Sequence, residues 1–206
     1  DRFVEVIDQR FLPHEWVVVK LHTYQEAEAA IKDMVVRGAP LIGATAAYGI
    51  YLAAKTCVEE NRNQDVMDQA FEALANSRPT AVNLFWALNR MKARLEGAED
   101  LVQTAWEEAQ AIVEQDVETC RLIGVHGLPI LEEIAAKKPG QRINILTHCN
   151  AGMLGCIEWG TVTSPIYQAK QKGFADRQIA HMMGCLESQV YARRDEEKIQ
   201  RVYKLV

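Results

Sequence analysis

Three short segments hold residues whose types and spacing could do chemistry. Arg37-Gly38-Ala39-Pro40 places an arginine at a glycine-bearing junction between two helical patterns. Gly38 lets the backbone come close to a ligand, and Pro40 suits the first position of a helix whose free amides favour an anion. The Arg37 guanidinium offers phosphate a planar fork. The plain alternative is a helix-turn-helix connection with an exposed arginine. Ser77-Arg78-Pro79-Thr80 repeats the theme, an arginine ahead of a proline that can open a helix. Taken alone it reads as a surface turn with a capping threonine. Two arginines at two helix starts suggest one shared anion site. The third segment, Thr147-His148-Cys149-Asn150-Ala151-Gly152, follows a short apolar run. Ligands of open α/β sheets bind at the C-terminal ends of strands. A cysteine there, near helix-start amides, is expected to be more acidic than the ordinary thiol at about 8.5. The alternative is a buried structural cysteine beside a satisfied histidine, and Cys156 reads as core.

These segments need elements to hold them. Phe3-Val4-Glu5-Val6-Ile7 alternates like a strand, and Trp16-Val17-Val18-Val19 follows a turn at Leu12-Pro13-His14. Thr23-Tyr24-Gln25-Glu26 has capping-box spacing and opens a helix whose stripe is Ala27, Ala30, Ile31 and Met34, with Gly38 as its stop. Pro40 opens the next helix, carrying Ala44, Ala47, Tyr48 and Tyr51. Another follows Pro79 with Leu84, Leu88, Met91 and Leu95 on one side and Gly97 as its end. A long helix carries Leu101, Ala105, Ala109, Ile112, Val113, Val117 and Cys120. Lys137-Lys138-Pro139-Gly140 is a turn and the expected domain boundary. Beyond it, Ile143–Thr147 reads as a buried strand running into a strand-to-helix turn at Asn150–Gly155.

The expected fold is therefore α/β. Residues 1–138 form a mostly helical domain with a small β-sheet, 141–170 begin a truncated Rossmann-like α/β unit, and 171–206 form a helical tail. Nearly half of the 206 residues are apolar and the net charge is -5, so no general attraction to nucleic acid or an anionic membrane is expected. The apolar runs read as too short for a bilayer span, and Asp1-Arg2-Phe3 reads as a trimmed start, not a signal peptide. Five cysteines without framework or zinc spacing point to free thiols in a reducing cytoplasm.

Several segments together resemble the methylthioribose-1-phosphate isomerase family. They are Ile7-Asp8-Gln9, the run from Ile31 to Gly43 around Arg37, Arg78-Pro79-Thr80-Ala81-Val82-Asn83-Leu84, Thr147–Gly152 and Gly160-Thr161. In family order they cover about residues 1 to 167, and the helix Leu84–Met91 with Trp86 fits this branch best. The resemblance implies that Arg37, Gly38 and Ala39 hold the substrate, that Arg78 is a second phosphate contact, and that Cys149 is the catalytic cysteine. It implies a phosphosugar substrate, aldose-ketose isomerisation in methionine salvage, no metal or organic cofactor, and a homodimer or other homo-oligomer. A non-enzymatic alternative is a regulatory subunit of the related translation-initiation exchange factor; another is an oligomerisation or structural fragment.

The family's catalytic aspartate, in a Gly-Ala-Asp-Arg segment, and its Asn-Lys pair are not found. Ala175-Asp176-Arg177 is a superficial match with Phe174 in place of glycine, so the catalytic half of the site is expected to be incomplete. From Gly173 the tail resembles part of the helical oligomerisation domain of carbamoyl phosphate synthetase, joined near Ala169-Lys170. Ile179-Ala180, Gly184 and Val190 also have helix-turn-helix spacing. Six Lys/Arg against five Asp/Glu from Gly173 onward give too little charge for a DNA footprint.

Overall fold

The computed structural model describes residues 3–59, 65–139, 141, 143–171, 186, 188–189 and 192. The alternation near the start becomes β1 (Val4–Ile7) and β2 (Val18–Leu21), an antiparallel pair in which Val4 faces Leu21 and Ile7 faces Val18. Val6 and Leu21 turn inward, as period-two alternation requires.

Helix α1 (Tyr24–Lys32) starts with the expected box: the Thr23 hydroxyl accepts from the Glu26 amide, and the Glu26 carboxylate accepts from the Thr23 amide. It ends short of the expected stop at Gly38. Met34 turns left-handed at φ 58° and lies on the surface, while Val35 and Val36 fold back into the core. The Val35 carbonyl then accepts the Gln9 amide, a partner that continued helix would have denied it.

Helix α2 (Ala39–Glu59) is buried on nearly every side. It corrects the expectation that no apolar run is long enough for a bilayer. By length and composition it qualifies, with a mean hydropathy of 1.3, yet 67% of that window is buried inside the protein. A helix at the centre of a helical bundle has the same composition. Around it pack α1, α3 (Asp65–Ser77) and α4 (Val82–Leu95). Helix α3 is absent from the reading above, although Val66, Met67, Ala70 and Leu74 form a buried stripe at helical spacing. On α4 the expected stripe of Leu84, Leu88, Met91 and Leu95 is buried.

Helix α5 (Leu101–Lys137) runs past Cys120 and through Pro129 before stopping at the expected turn. The chain divides into two compact units, Asp1–Val117 with Leu154–Ile157, and Glu118–Met153 with Glu158–Val206. In the first, Trp106 of α5 packs at a tilt against Tyr48 and Tyr51 of α2, its ring centroid 5.9 Å and 5.1 Å from theirs. In the second, Leu128 and Leu131 of α5 enclose a small core with Ile143 and with Ile166 and Ala169 of α6 (Thr163–Gln171). Gly124 and Gly127 make room for α6: a Cβ on the former would overlap Ser164, and one on the latter would sit 2.8 Å from the Pro165 ring.

The strand expected at Ile143–Thr147 is irregular here. Ile143 is buried, but Leu146 is 99% exposed, and no neighbouring strand pairs with the segment among the described residues. An apolar run becomes a strand only with a partner to complete its hydrogen bonds. The resemblances noted from Gly173 onward, to a synthetase fragment and to a helix-turn-helix, lie outside the described residues.

Candidate functional site

The start of α2 is the first part of the site. The Gly38 carbonyl accepts the Ile42 amide at 2.9 Å, so Gly38 is the residue that opens the helix, with Pro40 inside its first turn. Gly38 has φ 112°, a conformation that disfavours any Cβ. The space a Cβ would need is also taken, by the backbone of Gly155 in the short 3-10 turn Met153–Gly155. The close backbone approach expected of Gly38 is thus made to the chain itself. Arg37, beside it, is exposed.

Gln9 fixes the same corner from the other side. It is 3% exposed, donates its side-chain amide to the Leu154 carbonyl at 2.7 Å, and gives its backbone amide to Val35. Asp8, 2% exposed, takes the Arg10 guanidinium in a fork at 2.9 and 2.7 Å. That hydrogen-bonded fork holds the Asp8 carboxyl below its usual range, outweighing the opposing effect of burial. The Ile7-Asp8-Gln9 segment therefore braces the turn that meets Gly38, a structural task that its residue types alone did not announce.

The start of α4 lies against α2. A Cβ on Gly43, one turn into α2, would stand 3.0 Å from the Asn83 carbonyl oxygen in the first turn of α4. Glycine lets the two backbones come this close without either having to shift. Pro79 and Thr80 do not open α4 as expected. They form a turn closed by the Ala81 amide on the Arg78 carbonyl, and the helix starts at Val82. The N-cap is Ala81, which has no side chain to cap with, so Thr80 is not the capping residue.

Neither α2 nor α4 carries an acidic residue in its first turn. Two adjacent helix starts, each with the positive end of its dipole and each preceded by an arginine, are suited to an anion. Among the described residues no carboxylate pairs with the half-buried Arg78.

Cys149 lies in the other unit. Contrary to the expected strand end facing helix amides, it is exposed in an irregular loop, with φ 66°. Two of the segments singled out in the sequence meet in that loop. The Ala151 carbonyl accepts the Val162 amide at 3.1 Å and the Thr161 hydroxyl at 3.4 Å, while Gly152 backs directly onto Gly160. The pairing holds the loop that carries Cys149 to the start of α6. Cys156 is buried, as expected of a core residue.

Asp116 has no signal in the sequence beyond its place on α5. It is half-buried and accepts the Ile157 amide at 3.3 Å, and burial raises its carboxyl above the usual value despite that bond. A cleft of about 540 Å³ lies at the far end of α4 from Arg78, lined by Met67, Phe71, Lys92, Leu95 and Leu101 among others. None of the candidate site residues Arg37, Gly38, Ala39, Arg78 and Cys149 lines it.

The initiation factor 2 subunit family matches residues 35–191, running past the junction expected near residue 170. A methylthioribose-1-phosphate isomerase of Desulfatibacillum aliphaticivorans is 51% identical over 174 residues, covering 82% of this chain and 47% of that protein. Among solved structures, 5-methylthioribose 1-phosphate isomerase from Pyrococcus horikoshii matches with a TM-score of 0.67 and 39% identity, over 89% of this chain and 48% of that one. The delta subunit of translation initiation factor eIF-2B from A. fulgidus matches with a TM-score of 0.72 and 35% identity, over 85% and 51%. The chain spans about half the length of the relatives it matches.

Proposed function

The chain belongs to the initiation factor 2 subunit family, and from that premise we propose that it acts in the isomerase branch, on 5-methylthioribose 1-phosphate, forming 5-methylthioribulose 1-phosphate in methionine salvage. The observation that supports an anionic sugar as substrate is the pair of adjacent helix starts, each led by an arginine and free of acidic side chains. Its likeness to relatives named for this isomerisation supports the reaction.

In this reading Arg37 and Arg78 neutralise the phosphate, and Gly38 and Ala39 present backbone at the start of α2. A guanidinium fork on a phosphate is worth more than a neutral hydrogen bond and fixes the orientation of the group. The phosphate sits on the anomeric carbon, so the ring cannot open simply by releasing a free aldehyde. Isomerisation moves hydrogen between the first two carbons: a proton leaves one and is returned at the other. Cys149 is the thiol that accepts or returns it, with a second acid/base group completing the transfer. The reading includes a cytoplasmic setting, where thiols stay reduced, and assembly as a homo-oligomer without nucleic-acid or membrane partners.

The test is to incubate the purified chain with methylthioribose 1-phosphate and follow ketose formation by NMR. Turnover by the parent that falls about a hundredfold or more in Cys149→Ser would carry the reading, and binding without turnover would mark a half-site that lacks its second acid/base group. Binding is expected to weaken at least about tenfold in Arg37→Ala. A chain that neither turns over nor binds the sugar phosphate would show that the family likeness describes descent and not activity.

A further inference from the structure

The cleft of about 540 Å³ at the far end of α4 lies within one unit of the fold, between α3, the end of α4 and the start of α5. That volume suits a small ligand. Its floor is apolar. Met67 and Leu95 are buried, and Phe71 and Leu101 are half-buried and packed against the main core. Three exposed charged side chains stand around this floor: Asp68 from α3, Lys92 in the last turn of α4 and Glu96 at its C-cap. Lys92 and Glu96 are four residues apart and share a helix face, with their Cβ atoms about 5–6 Å apart. Lysine ahead of glutamate is the weaker order for such a pair. Among the described residues none of the three charges is held in an ion pair.

We propose that this cleft binds a free α-amino acid with an aliphatic or aromatic side chain. The charges select that class. Asp68, Glu96 and the negative end of the α4 dipole favour an ammonium, while Lys92 offers a carboxylate its partner. An α-amino acid carries both groups on one carbon, and Lys92 and Glu96 stand side by side to receive them. A simple amine would leave Lys92 without a partner. A fatty acid would set its carboxylate against Asp68 and Glu96, a like-charge contact that costs affinity. The ligand side chain lies over Met67, Phe71, Leu95 and Leu101, where burial of apolar surface supplies the drive to bind. The inference stands apart from the isomerase reading, because none of the candidate site residues lines the cleft.

The test is a ligand-observed NMR titration of the full 206-residue chain with L-leucine. Three further probes each lack one part of it: isoamylamine the carboxylate, isocaproate the ammonium, and glycine the side chain. Leucine is expected to bind with a Kd of about 1 mM or tighter, and each of the other probes at least about tenfold more weakly. Lys92→Gln should weaken leucine about tenfold and leave isoamylamine within about twofold, because that probe has nothing for the lysine to hold. Asp68→Asn/Glu96→Gln should weaken leucine about tenfold and leave isocaproate no weaker than before. All three positions are exposed, so these variants are expected to fold as the parent does. No saturable leucine binding up to about 10 mM would overturn the proposal. So would any of the three probes binding as tightly as leucine. Leucine affinity unchanged in both variants would overturn it too, by placing the amino acid elsewhere on the chain.

Discussion

Gly38 and Gly97 both have positive φ, 112° and 73°, but their surroundings differ. Nothing lies within 4 Å of a Cβ built on Gly97, whereas one on Gly38 collides with the Gly155 backbone. Gly97→Ala should therefore cost only the left-handed strain, about 1 to 2 kcal/mol. Gly38→Ala adds overpacking against an immovable main chain and should cost about 3 kcal/mol or more. Urea unfolding of the two variants separates the contributions, and equal costs would mean that the Gly155 contact yields easily. That Gly38 allows a close backbone approach was legible in the sequence, because glycine has no Cβ and stands at a junction between two helical patterns. The partner in that approach was not, because Gly155 lies far along the chain and no local pattern links the two. Gln9 is a parallel case: a polar residue after a strand gave no sign that its amide would hold the Leu154 carbonyl.

The elements that the sequence made legible are those whose signals are local. The capping box of α1 closes within four residues, so its presence could be read directly, and its strength can be measured. Thr23→Ala should cost about 1 kcal/mol, and Glu26→Ala in the Thr23→Ala background should add less than it does alone, since the two side chains cap each other's amides. Thermal unfolding of the four proteins in that cycle checks it, and strictly additive costs would argue against the reciprocal pair. The stripe of α4 was equally local. What failed was anything that depends on a distant partner. Beyond the end of α1 the Val35 carbonyl accepts from the distant Gln9 amide, and a strand at Ile143–Thr147 would need a neighbour with which to pair. Helix α3 is different, since its stripe of Val66, Met67, Ala70 and Leu74 is itself a local signal at helical spacing.

At the scale of the whole molecule, the division into two compact units decides how stability should be measured, because two units need not unfold in one step. The two carboxylates with the most telling environments, Asp8 and Asp116, both belong to the unit Asp1–Val117 with Leu154–Ile157, so their effects are read in one transition. They act in opposite directions. The fork from Arg10 lowers the folded-state value of Asp8, so its contribution is fully present above the unfolded carboxylate pKa of about 3.9 and is lost as pH falls through the lower folded value. Burial raises the folded-state value of Asp116, so its contribution is present below about 3.9 and is lost as pH rises through the raised value. Asp8→Asn should therefore destabilise this unit at neutral pH, by about 2 kcal/mol for the loss of a buried charge-assisted fork. The deficit should shrink in acid. Asp116→Asn keeps an oxygen for the Ile157 amide but removes the buried charge, so relative to the parent it should gain stability as pH rises from about 3.5 to 7. Urea titrations of the three proteins at several pH values from about 2 to 7, followed by tryptophan fluorescence, decide the matter. Curves for Asp116→Asn that run parallel to the parent would show that water reaches this carboxyl freely, and that the bond to Ile157 confers no burial on it. Converging acid limbs for Asp8→Asn would instead tie the acid sensitivity of the unit to the corner that braces Gly38, and so to the site at the start of α2.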